Sequence, residues 1–179
     1  MRKTVLVLLG LLAVSASAQT PEKPTRVSFF VTNPGFGWSE GGGANFDAGL
    51  GLAIERRFTP RWSAELEIAR EVHDYQPSFF DPTVIEFRTY PVDAFVRYSF
   101  ENNTRWRPFL GAGARYVTAP DEPPGANYDN ELSPQIGGGV EWEVGESLSL
   151  VFDAKALARN DVPHWDEVLK VSVGVGWRF

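Results

Sequence analysis

The stretch VSVGVGWRF at residues 171–179 decides the fold class. Its odd-numbered positions, from Val171 to Phe179, are all apolar, whereas its even-numbered positions are serine, glycine or arginine. Successive side chains of a β-strand point to opposite faces, so this alternation predicts a strand with one apolar and one polar face. A sheet built from such strands separates two different environments.

Other segments upstream alternate in the same way. In one of them Val92 and Val96 share a face, while Asp93 and Arg97 share the opposite face. None of the positions assigned to the apolar faces is charged, which is typical of strands that meet lipid on one side. The predicted strands are 26–33, 44–58, 62–73, 84–100, 106–118, 132–145, 147–158 and 169–179.

The connections between these strands alternate in length. The short ones are 59–61, 101–105 and 145–146, and the long ones are 34–43, 74–83, 119–131 and 159–168. Transmembrane barrels have short periplasmic turns and longer external loops, and a tilted strand needs about 9–11 residues to cross a bilayer. The sequence therefore predicts an all-β fold, an eight-stranded antiparallel up-and-down transmembrane β-barrel with both ends of the chain on the periplasmic side.

Aromatic residues collect near the predicted periplasmic end of the strands. Tyrosine and tryptophan favour the boundary between membrane and water because their rings are part apolar and part polar. A soluble lipocalin-like binder, with an apolar lumen and a polar exterior, fits the alternation equally well, but it does not explain this belt. The belt residues are Phe58, Trp62, Tyr98, Phe100, Trp106, Trp142, Trp177 and Phe179.

The N-terminal segment resembles a secretory signal peptide. Arg2 and Lys3 precede an apolar run over residues 5–14, and Ala16 and Ala18 supply small residues at the cleavage-determining positions. The run is too short to span a bilayer as a helix, which needs about 20 residues. We expect residues 1–18 to be removed before Gln19, which leaves 19–179 as a single outer-membrane barrel domain.

Charge and cysteine usage exclude several classes of protein. The formal net charge of the chain is −6. Residues 1–18 carry two cations, Arg2 and Lys3, and no acid, so their removal takes it to −8. Nucleic-acid binding requires clustered Lys and Arg and is not expected. The chain contains no cysteine, so it has neither a disulfide framework nor a lipid-modified cysteine.

The polar faces predict a charged lumen. An eight-stranded barrel is just wide enough for side chains to fill it, and buried charges must be paired or hydrogen-bonded. We expect a structural ion-pair network centred on Arg97, Arg107 and Arg115. We also expect an acidic excess, so that some carboxylates meet water at the mouths or have a raised pKa. The predicted members are Glu65, Glu67, Asp93, Arg97, Arg107, Arg115, Glu141, Asp153 and Lys155.

Pairs of glycines recur on the inward faces, for example at Gly137 and Gly139. They are expected to leave room for arginine and phenylalanine side chains and to ease the curvature of the strands. A phosphate-binding loop would need a helix after the glycines, and none is predicted.

Two segments besides the terminal one, RPFLGAGARY at 107–116 and SPQIGGGVEW at 133–142, resemble small outer-membrane β-barrel proteins related to outer-membrane proteins A and W. The resemblance implies a porin-like monomer in the outer membrane of a Gram-negative envelope, in contact with lipid and lipopolysaccharide. It also implies insertion by the barrel-assembly machinery, with no peptidoglycan-binding domain. The residues that this machinery would read are Val171, Val173, Val175, Trp177 and Phe179.

The chain offers little material for catalysis or metal binding. His73 and His164 are its only histidines and are expected in loops or at their bases, whereas a zinc site needs three or four suitably spaced ligands. Some barrels of this size act on lipid A as serine hydrolases, but no serine stands two residues after His164. The acidic segment 121–131 could hold a divalent cation shared with lipopolysaccharide, although a solvated loop is the favoured interpretation. No metal, cofactor or enzyme activity is predicted.

The favoured function is that of an integral outer-membrane barrel with a structural or surface-interaction role and a lumen filled by polar and charged side chains. The alternative is a narrow channel or transporter for small or apolar solutes. A soluble binder and a lipid A-modifying enzyme are less favoured. The sequence indicates no particular ligand.

Overall fold

The computed structural model describes residues 23–33, 49–75, 85–121, 132–157 and 169–179. These ranges contain eight strands and no helix long and apolar enough to cross a bilayer. The strands are β1 (Thr25–Asn33), β2 (Gly49–Arg57), β3 (Trp62–Tyr75), β4 (Ile85–Ser99), β5 (Trp106–Thr118), β6 (Leu132–Glu143), β7 (Leu148–Leu157) and β8 (Leu169–Arg178). Their bounds agree closely with the predicted ones, except that residues 44–48 of the predicted second strand lie outside the described ranges.

The strands form one closed antiparallel barrel. Each strand pairs with its neighbours in sequence, and β1 pairs with β8, so that Arg26 lies opposite Arg178 and Thr32 opposite Ser172. Closure removes the free edges that an open sheet would present to other chains. The predicted eight-stranded up-and-down barrel is confirmed.

The apolar faces of the strands point outward. Phe29 of β1 is 70% exposed and Ile136 of β6 is 67% exposed, and both predicted faces are confirmed along every described strand. Leu52 and Val96, which a water-soluble barrel would bury, are exposed, whereas Glu65 and Arg97 are buried. The lipocalin-like arrangement is therefore wrong.

Side-chain hydrogen bonds shape the short turns. Thr59 Oγ1 accepts hydrogen bonds from the backbone N–H of Arg61 at 3.2 Å and of Trp62 at 2.9 Å, which closes the β2–β3 turn before β3 begins. This turn is joined to the β4–β5 turn by an ion pair, in which Arg61 Nη2 lies 3.0 Å from Glu101 Oε2. Both side chains are exposed, and the hydrogen bond to Glu101 raises the pKa of the Arg61 guanidinium.

The external end of the apolar band is marked by charged side chains that point outward. Arg70 of β3 and Glu86 and Arg88 of β4 are exposed on the outer surface, beyond Ile68 and Val92. A charge facing lipid costs about 2–4 kcal/mol at the centre of a bilayer and little near its edge. The β3–β4 hairpin therefore extends past the hydrocarbon layer.

Gly139 allows β6, β7 and an inward ring to approach one another closely. A Cβ at this position would collide with the carbonyl oxygen of Phe152 and would lie 2.8 Å from Cζ of Phe109. Only glycine leaves room both for the β6–β7 ladder and for the Phe109 ring, which is why a glycine occupies this position.

We predict that Gly139→Ala lowers the folded fraction sharply, because the backbone of β7 or the Phe109 ring must move. Gly145→Ala is the matched control, since a Cβ there meets nothing within 4 Å. The measurement is gel mobility before and after boiling, because folded barrels resist detergent until heated. Equal folded fractions for the two variants would contradict this explanation.

Candidate functional site in the barrel lumen

The described part of the lumen holds equal numbers of opposite charges. The expected acidic excess is wrong for these residues, because the inward faces include cations that the sequence analysis did not count, notably Arg26, Arg57 and Lys170. Asp47, which the two-residue period of the second predicted strand would also point inward, lies outside the described ranges. The eight carboxylates are Glu55, Glu65, Glu67, Glu71, Asp93, Glu141, Glu143 and Asp153, and the eight cations are Arg26, Arg57, Arg97, Arg107, Arg115, Lys155, Lys170 and Arg178.

Glu141 is the centre of the cluster nearest the short turns. Its carboxylate lies 3.0 Å from Arg26 Nη1, 2.9 Å from Arg57 Nη2 and 2.6 Å from Arg178 Nη2. Arg26 also reaches Glu55 at 2.6 Å. One buried carboxylate on β6 thereby connects β1, β2 and β8 across the lumen.

Two lysines and an arginine hold the middle of the lumen. Arg97 Nη2 lies 2.6 Å from Glu65, and Lys155 Nζ lies 2.6 Å from Glu67. Lys170 contacts Glu67 as well and lies 3.0 Å from Asp93. Removing a charge from water costs several kcal/mol unless a partner compensates, and each of these charges has at least one.

The cluster nearest the external end contains the histidine that was expected at the base of a loop. His73 lies two residues before the end of β3 and faces the lumen, where its Nε2 lies 2.9 Å from Thr89 Oγ1 and 3.9 Å from Glu71. Its ring stacks on Phe87 with 5.3 Å between the centroids. Glu71 also pairs with Arg115, so strands β3, β4 and β5 meet here.

Phenylalanine rings occupy the space that the ion pairs leave. The guanidinium carbon of Arg97 lies 4.2 Å from the centroid of Phe109, and Lys155 Nζ lies 5.1 Å from that of Phe95. Such cation–π contacts stabilise desolvated cations. The cavity enclosed beside Arg97 has a volume of about 10 Å³, which is room for about one water molecule.

The structure does not bring the three predicted central arginines together. Arg97 and Arg115 belong to one network but are connected only through carboxylates and the two lysines between them. Arg107 lies near the short-turn mouth, where it pairs with Glu143 at 3.3 Å and remains partly exposed. Instead, carboxylates such as Glu141 act as the centres, each gathering cations from several strands.

Four lumen residues were missed by the sequence analysis although a signal for them exists. Each lies within a predicted strand and falls on the inward face by the two-residue period, although no facing was assigned to it. Glu71 follows Ala69 on the inward face of β3, and Lys170 precedes Ser172 on that of β8. The four are Arg26, Arg57, Glu71 and Lys170.

The described ranges contain no group of three or more His, Cys, Asp or Glu side chains arranged to hold a metal ion. His164 and all but the first residue of the acidic segment 121–131 lie outside those ranges. The geometry thus offers a lumen of paired charges and an apolar exterior.

Comparison with known proteins decides what such a barrel is. A model of the outer membrane protein beta-barrel domain matches residues 4–179. The chain belongs to this family. It is therefore a protein of the bacterial outer membrane, with its apolar exterior in contact with lipid.

Solved structures of this family share the fold. Outer membrane protein OprG of Pseudomonas aeruginosa is 15% identical with a TM-score of 0.64, and the match covers 90% of this chain and 99% of OprG. The N-terminal barrel domain of OprF from the same organism is 15% identical with a TM-score of 0.60, and the match covers 88% of this chain and 98% of that domain. Ail of Yersinia pestis in a bilayer nanodisc is 16% identical with a TM-score of 0.57, and the match covers 88% of this chain and 100% of Ail. Among curated proteins, none is detectably similar in sequence.

In this family member the predicted aromatic belt lies at the short-turn end, facing outward. Trp106 and Trp142 stack with 5.2 Å between centroids, and Trp62 meets Tyr98 edge-on at 5.1 Å. The predicted assembly residues lie on the outward face of β8, where Trp177 is 57% exposed. Short turns of outer-membrane barrels face the periplasm, so the belt marks the periplasmic boundary of the lipid.

We predict that Glu141→Gln lowers the free energy of unfolding by about 3–5 kcal/mol, because three buried guanidinium groups lose their shared counter-charge. Glu143→Gln on the same strand is the control. Its partner Arg107 is partly exposed, so the loss should be about 0–1 kcal/mol. Urea unfolding of the barrel in lipid vesicles measures both values. Similar losses would show that Glu141 is not the centre of the cluster.

Proposed function

We propose that this protein is a non-enzymatic outer-membrane barrel with a structural or surface-interaction role, whose lumen is closed by its own side chains. The observation that supports the proposal is the pairing of eight carboxylates with eight cations across the described lumen, beside a residual cavity of about 10 Å³. Conduction requires a water-filled path, which wider barrels leave and eight-stranded ones fill with side chains.

Such a barrel would interact with partners through the long segments that connect β1 to β2, β3 to β4, β5 to β6 and β7 to β8. Loops carried on a rigid scaffold commonly hold binding residues. Segments 34–48, 76–84, 119–131 and 158–168 together contain ten acidic residues and a single cation, Arg159. One structure of Ail holds the heparin analogue sucrose octasulfate. The acidic segments of this chain instead favour a cationic partner, because like charges across an interface repel.

The lumen proposal is tested by recordings across planar bilayers. We expect the wild-type barrel to give no steady conductance, whereas Glu65→Ala combined with Arg97→Ala removes an ion pair from the middle of the lumen and should give a measurable leak. Arg61→Ala is the control, because Arg61 lies outside the lumen in a periplasmic turn. If the wild-type barrel conducts as well as the double variant, or if a small apolar solute crosses it, the narrow-transporter alternative replaces this proposal.

Biogenesis forms a further part of the proposal. The signal-like composition of residues 1–18 supports their removal, and the outward residues of β8 would be the surface that the assembly machinery reads. Because β1 and β8 close the sheet, no edge strand remains to recruit a second copy, which supports a monomer.

We therefore expect protein extracted from outer membranes to have the mass of residues 19–179 and to migrate as a monomer. Substituting Ala16 and Ala18 with arginine should retain residues 1–18, because the cleavage site accepts only small side chains. Intact mass spectrometry measures the mass of the wild type and that of the variant. A wild-type mass that still includes residues 1–18 would contradict the cleavage proposal.

A further inference from the structure

We propose that the periplasmic mouth of the barrel is a binding site for a small oxyanion, a carboxylate or phosphate group. A cavity of about 610 Å³ opens there, inside the ring of short turns, and its volume lies within the range of small-molecule sites. The proposal is independent of the surface role proposed above, because the site lies at the opposite end of the barrel from the strand ends that the acidic segments connect. The charged side chains in its wall are Lys23, Arg57, Arg107, Arg178, Glu143 and Glu146.

The charges at this mouth do not balance. Arg57 and Arg178 share Glu141 with Arg26, which also uses Glu55, while Arg107 has Glu143. Counting the cavity wall with these two deeper carboxylates and Arg26 gives five cations and four carboxylates. Cations thus outnumber carboxylates by one at the mouth. The difference is made up deeper in the lumen, where Arg26 also reaches Glu65 at 3.4 Å and where Glu67, Glu71, Asp93 and Asp153 lie.

Two cations of the wall can be reached from the cavity. The side chain of Arg107 is 27% exposed and Lys23 is half-buried. An oxyanion supplies several acceptor positions at once and suits the planar fork of a guanidinium, so it would complement this cationic wall.

The segment before β1 encloses one side of the cavity. Lys23 Nζ donates a hydrogen bond to Ser147 Oγ at 2.7 Å and approaches the carbonyl oxygen of Glu146 at 3.5 Å. This contact fixes the Lys23 ammonium at the β6–β7 turn, in the wall of the cavity that Arg107 also lines. An anion in the cavity would therefore be held between Lys23, Arg107 and Arg178.

The test is calorimetric titration of the folded barrel, in nanodiscs of zwitterionic lipid and at low salt, with inorganic phosphate and with succinate. The variant is Lys23→Gln combined with Arg107→Gln, which removes two cations of the wall without disturbing the buried Glu141 cluster. Arg61→Gln is the matched control, because it removes a cation from the same end of the barrel but lies outside the cavity. Gel mobility before and after boiling confirms that all three proteins are folded.

We expect Arg61→Gln to bind each anion with the same affinity as wild type. The double variant should bind each anion about tenfold or more weakly, since charge-assisted hydrogen bonds are lost. Absence of binding to wild type, or equal weakening by Arg61→Gln, overturns the proposal. Nanodiscs that contain phosphatidylglycerol then distinguish the sources of the anion. Native mass spectrometry that shows this lipid retained by wild type and lost from the double variant assigns the site to a lipid headgroup, whereas equal retention assigns it to a soluble anion.

Discussion

Mutual neutralisation of buried charges is the constraint on which this structure depends. Lipid covers the outside of the barrel, so polar side chains within the membrane must point inward, and eight strands leave no room for a column of water. The charges must therefore satisfy one another. Glu141 neutralises charges beside the pair of strands that closes the barrel, because its three arginine partners come from β1, β2 and β8. The cluster thus supports the seam at which the first and last strands pair.

The same constraint weakens toward the ends of the barrel. In the middle, Lys155 and Lys170 are fully buried, and each lies against carboxylates. At the periplasmic mouth, where water enters, an unmatched cation costs much less because the effective dielectric constant is higher. An excess of one cation is thus tolerated at the mouth, and the carboxylates of the deeper lumen balance it. The structure places this local excess of positive charge beside the large cavity.

The fold could be predicted from the sequence because a period of two translates directly into inside and outside. Val96 and Arg97 differ by one position and so lie on opposite faces, whatever the rest of the barrel does. The ion-pair partners could not be predicted in this way. Which charges meet across the lumen depends on the stagger between strands, which brings Arg26 of β1 to Glu141 of β6 and leaves Arg107 with Glu143. His73, at the end of the predicted strand 62–73, faces the lumen because β3 keeps its two-residue period to the end.

The freedom within this constraint accounts for the low sequence identity among barrels of this shape. The lumen must balance in charge and fill its volume, but many arrangements do both, and the outer face needs only to be apolar. Relatives such as OprG therefore keep the fold at 15% identity. The barrel fold that these proteins share, with its filled lumen and apolar outer face, therefore carries no information about function. What distinguishes one such barrel from another must lie where neither lipid nor a partner charge dictates the residue. In this chain those places are the acidic external segments and the cationic periplasmic mouth.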